Sequence, residues 1–83
     1  MGRATRVILT KGRVYIDKGK YIQLRVFAKE LVVLDMLTRS FGGNYYPHGS
    51  GYVWVVSKLS DLENIARQVN LPELAYALER GLK

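Results

Sequence analysis

The stretch GRVYIDKGKYIQLRVFA, Gly12 to Ala28, decides how this chain is read. Val14 and Ile16 lie on one face of a first arm, with Arg13, Tyr15 and Asp17 on the other. Ile22, Leu24 and Val26 share a face of a second arm, opposite Tyr21, Gln23, Arg25 and Phe27. Strand side chains alternate with period two, so this pattern predicts a β-hairpin with one apolar and one polar, basic face. The apolar face needs a core. The other carries long hydrogen-bonding cations.

Upstream, Arg6-Val-Ile-Leu-Thr10 is rich in β-branched residues and reads as a further strand over 5–10. With arms at 13–17 and 20–27 it would complete a three-stranded meander. Turns are expected at Thr10–Arg13 and Asp17–Lys20, each with Gly third, where a positive φ carries no steric cost. Downstream the period changes. Leu31, Leu34, Leu37 and Phe41 fall at helical spacing, and Gly42-Gly43 ends that helix. Asn44–His48 reads as a short edge strand, because Pro47 cannot donate to a ladder. Gly49–Gly51 is a turn and Tyr52–Ser57 the returning strand.

Ser60-Asp-Leu-Glu63 has the form of a capping box opening a helix lined by Leu62, Ile65, Ala66 and Val69. Pro72 suits the first position of a last helix, lined by Leu74, Ala75, Leu78 and Leu82 and closed by Gly81. The expected fold is α+β: one domain over 1–83, with an antiparallel sheet of four to five strands packing one face on three helices, in the order ββαββα(α).

Composition narrows the function classes. The 83 residues are 48% hydrophobic and 24% charged, ordinary values for a globular domain. No run of about 18 apolar residues suggests a membrane span, and MGRATR has no apolar segment of the kind that opens a secretory signal. There is no cysteine, hence no thiolate metal site or thiol nucleophile. His48 is the only histidine, and the acidic residues Glu30, Asp61, Glu63 and Glu73 suit helix first turns, not acid–base chemistry. No catalytic residue, metal site or cofactor is expected, and the chain reads as cytoplasmic, nucleoid-associated if prokaryotic.

The net charge is +6, and residues 1–29 hold eight basic residues against Asp17 alone. Charge this lopsided points to a nucleic acid or another anionic surface as partner.

Several pieces in order resemble a LAGLIDADG homing-endonuclease repeat over the 58 residues from Gly12 to Val69. They are a Gly that opens a hairpin, Lys29-Glu30 with Val33-Leu34 entering the middle helix, Phe41-Gly-Gly43, Tyr52-x-Trp54-x-Val56-Ser57, and Asp61-Leu-Glu63. The helix that names that family and ends in a metal-binding acid is expected to be missing. Thr10 and Lys11 stand about where the acid would be, and an ammonium cannot ligate Mg²⁺.

The resemblance implies a sheet that binds double-stranded DNA without cutting it. Its reading face would hold Arg13, Tyr15, Gln23 and Arg25 on the first hairpin, and Asn44, Tyr46 and His48 on the second. Lys11, Lys18 and Lys20 at the turns would meet phosphates. Val53, Val55 and Phe27 fall on the same side, where they would touch thymine methyls or be covered by protein. Two alternatives compete: a nuclease half completed by a partner chain that carries the acidic helix, and a protein-interaction module. The last helix, apolar at Leu74, Ala75, Ala77 and Leu78, is the candidate surface for a homodimer.

Overall fold

The computed structural model describes residues 2–18 and 21–80. The elements are α1 (Arg3–Lys11), β1 (Arg13–Asp17), β2 (Tyr21–Ala28), α2 (Leu31–Phe41), β3 (Asn44–His48), β4 (Gly51–Val56), α3 (Leu59–Gln68) and α4 (Pro72–Glu79). The four strands form one antiparallel sheet in the order β1-β2-β4-β3. The two hairpins therefore meet through β2 and β4, and β3 with Pro47 is an edge strand, as a missing N–H requires.

The core lies on one side of the sheet. Ile22, Leu24 and Val26 from β2 and Trp54 and Val56 from β4 join Ile8, Leu34, Leu37, Leu62, Ile65 and Leu74 from the four helices. Val14, Ala28 and Tyr52, on the same sheet face, pack at its margin. All helices thus cover one face, and the other is left open. Removing an aliphatic side chain of this size from water is worth about 1.5–3 kcal/mol.

The first segment overturns an expectation. Residues 5–10 are not a strand but part of α1, so the sheet has four strands and the helices number four among the described residues. Val7 and Ile8 favour strand locally, yet Ala4 and Ile8 lie one helical turn apart and both are buried, with Val7 packed beside them. A nine-residue helix is marginal alone in water. Burial of that stripe against α2 and β2 holds this one. Thr10 adapts by donating its hydroxyl to the carbonyl of Arg6 at 2.9 Å. A helix therefore precedes the first hairpin where none was expected, and it ends in Thr10 and Lys11.

The turns differ in detail. Gly12 has φ −66°, extended and unremarkable for any residue. Its need for glycine is steric: a Cβ there would sit 2.5 Å from the Ile8 carbonyl oxygen, since the chain leaves α1 by folding back over its last turn. In the hairpin turn Lys18 takes the left-handed conformation, with φ 55°. Gly19, Lys20, Gly81 and Leu82 lie outside the described residues, so the glycine expected there, the basic side chain of Lys20 and the closing residues of the last helix do too.

The capping box does not form. Helix α3 starts at Leu59 with Lys58 as its N-cap, and the Leu62 amide donates to the Lys58 carbonyl at 3.0 Å. Ser60 is already inside the helix, so the Glu63 amide that the capping box needs belongs to the helical ladder. Likewise Glu30 is the N-cap of α2, not a first-turn residue. In α4, Leu74 and Ala77 are buried and Leu78 packs against the core, leaving Ala75 and Tyr76 outside. Most of the apolar surface that made this helix a candidate dimer contact is spent in the protein's own core. Among the described residues no helix is long and apolar enough to cross a membrane.

Candidate nucleic-acid interface

The open face is built by the register of the four strands. Arg13 pairs with Arg25, Arg25 with Val55, and Val55 with Asn44, so these residues make one row across the sheet. Phe27, Val53 and Tyr46 make a second row, and Tyr15 stands opposite Gln23. His48 pairs with Gly51 at the end of β3, and its ring lies 5.0 Å from that of Phe27. Arg13, Tyr15, Gln23, Arg25, Asn44, Tyr46 and His48 therefore share one surface. Strand alternation makes this a consequence of the core: once Leu24, Val26, Trp54 and Val56 turn inward, their neighbours turn out.

Two parts of that surface differ in chemistry. The centre is apolar. Val53 is only 9% exposed although it belongs to the open face, because Phe27 and Tyr46 flank it in the same row. On the β1–β2 side lies a polar cluster. The Arg25 guanidinium sits 4.4 Å from the centre of the Tyr15 ring, a cation–π distance. Its Nε and Nη2 both donate to Gln23 Oε1, at 3.0 and 2.6 Å. A shallow hollow lined by Tyr15, Ile16, Asp17, Gln23 and Arg25 marks the place.

Arg13 and Arg25 face each other directly across β1 and β2, an arrangement that costs stability between like charges. Asp17 does not relieve it. Among the described residues the ion pair is Arg39 with Asp35 on α2, far along the chain. Two arginines at paired positions of an uncovered face, with no carboxylate in ion-pair contact with either among the described residues, form a surface that an anion would stabilise.

The lysines are placed at the ends. Lys18 is in the β1–β2 turn. Lys11 closes α1 and lines a cleft of about 480 Å³ at the other end of the hairpin, with Phe27, Lys29, His48, Ser50 and Gly51 among its walls. Lys29, directly after β2, is a second cation in the wall of that cleft. The N-terminal charge is also less confined to strands than its sequence position suggests, since Arg3, Arg6 and Lys11 belong to α1. Among the described residues no group of three His, Cys, Asp or Glu is arranged to hold a metal. Comparison with family models, with curated proteins and with solved structures found no match for this chain.

Proposed function

We propose that this chain binds double-stranded DNA through the open face of its sheet and does not cleave it. The observation that carries this reading is the Arg13–Arg25 opposition on a face that no helix covers, without a carboxylate to neutralise it. A two-stranded ribbon fits a major groove, and Arg, Gln and Asn are side chains suited to base edges. Lys11 and Lys18, at the two ends of the first hairpin, suit the phosphates that border such a groove. The resemblance to a LAGLIDADG repeat supports the same surface. Helix α1 stands where that family carries its interface helix, but ends in Thr10 and Lys11 instead of a metal-binding acid.

Fluorescence anisotropy with a labelled random duplex and the matching single strand, across a salt series, tests the proposal. The duplex should bind more tightly, with affinity falling as salt rises. The double variant Arg13→Ala/Arg25→Ala should lose about tenfold or more. Unchanged affinity in that variant would remove the sheet face from the explanation. Incubation with supercoiled plasmid and Mg²⁺ should leave the plasmid intact, and nicking would show that the chain is a nuclease.

A further inference from the structure

The Arg25–Gln23 pair is wired in a way that specifies what it reads. Both nitrogens on the Nε side of the guanidinium donate to the same oxygen, Gln23 Oε1. Nη1 and the second hydrogen on Nη2 have no partner among the described residues, so the end-on edge of the fork remains free. Gln23 is changed by the same contact. Its carbonyl oxygen already serves two charge-assisted donors, which leaves only its amide hydrogens to offer.

A free glutamine reads adenine by accepting from N6 while donating to N7. Gln23 has lost the acceptor half of that pair. Arg25 and Gln23 together are a cluster of donors, and the free two-pronged edge of Arg25 matches a base that presents two acceptors side by side, which thymine with O4 alone does not. In the major groove that is guanine, with O6 and N7. From these contacts we infer that Arg25 is a guanine-specifying residue and Gln23 its positioning residue. The inference rests on the reading of the open face as a duplex-binding surface.

Phosphate oxygens are acceptors too, but the placement separates the two. Arg25 and Gln23 are on β2, an interior strand of the sheet, whereas Lys11 and Lys18 lie at the ends of the hairpin. A guanidinium braced on Tyr15 and Gln23 also keeps one orientation, which base recognition needs and a phosphate contact does not.

The test is selection from a randomised duplex pool, followed by anisotropy titration of the selected duplex at fixed salt. The selected site should contain one fixed guanine. Replacing it with 7-deazaguanine, which lacks N7, should weaken binding about tenfold, and inosine, which keeps O6 and N7, should bind as guanine does. Arg25→Lys and Gln23→Leu should each flatten the preference at that position and leave the other positions alone. Circular dichroism melts that match the parent protein would verify that both variants fold.

Three outcomes overturn the inference while leaving duplex binding intact. They are a site without a fixed guanine, an Arg25→Lys variant that weakens every sequence equally, as a phosphate contact would, and a fixed adenine lost in Gln23→Leu. Failure of the parent protein to bind any duplex would overturn the surface itself and the inference with it.

Discussion

Gly43 and Trp54 show how single residues tie the second hairpin to α2. Trp54 is fully buried, and its indole nitrogen donates to the Gly42 carbonyl at 2.9 Å. The chain approaches so closely that a Cβ on Gly43 would lie 2.8 Å from both the Val55 carbonyl oxygen and the Val56 side chain, and φ there is +81°. Gly43→Ala is therefore expected to destabilise the fold by about 1–3 kcal/mol or more, from backbone strain alone. Urea unfolding followed by circular dichroism would measure it. Trp54→Phe replaces the buried indole with a smaller ring that has no N–H, which strands the carbonyl of Gly42 and leaves a void, at a cost of about 1–3 kcal/mol or more in the same experiment. The FGG run and the tryptophan are separate in sequence and one contact in space.

Among the elements, α1 is the one whose character is most open to test. In a helix Ile8 is buried and Leu9 is on the outside, with 36% of its surface exposed. Ile8→Ala should cost about 2–5 kcal/mol, while Leu9→Ala should stay within about 0.5 kcal/mol. A strand would place Val7 and Leu9 on one face and make them respond alike. Val7 packs against the core in the helix while Leu9 does not, so thermal or chemical unfolding of Val7→Ala beside Leu9→Ala distinguishes the cases. Helix α4 makes a parallel prediction. Because Leu74 is buried in the core, Leu74→Ala should lower unfolding stability by about 2–5 kcal/mol. Sedimentation behaviour should not change, whereas a self-association surface would respond in the opposite way.

At the scale of the molecule, the layering sets the function proposed for it. Helices occupy one face of the sheet, so the remaining face presents Arg13, Arg25, Tyr15, Gln23 and Asn44 together with an apolar centre at Val53. If Lys11 and Lys18 displace counterions from DNA phosphates, the logarithm of affinity falls linearly with that of salt, by about 0.9 per phosphate neutralised. Lys11→Ala/Lys18→Ala should flatten that slope by about one to two units. Arg39→Ala should not, because its partner is Asp35 on α2 and not the ligand. Anisotropy over a salt series checks both.

Much of this was legible from residue order. Alternation in Tyr21–Ala28 and helical spacing at Leu34, Leu37 and Phe41 report burial, which is what those periods encode, whereas Ile16 and Leu31, expected on the same apolar faces, stay exposed where the elements begin or end. The same alternation puts Arg13, Tyr15, Gln23 and Arg25 on one side of the first hairpin, while Asn44, Tyr46 and His48 join that side only as the family resemblance implies. Three features were not local. Residues 5–10 read locally as a strand and are part of α1 because Ala4 and Ile8 are buried against α2 and β2. Gly12 is needed for the closeness of the Ile8 carbonyl, not for its own dihedral angle. The commitment of Arg25 to Gln23 and Tyr15 depends on the β1–β2 register and on which rotamers meet there. Periodicity carries the faces of an element, because they follow from the backbone repeat. It does not carry the partners across elements, because those are set by which surfaces the whole chain brings into contact.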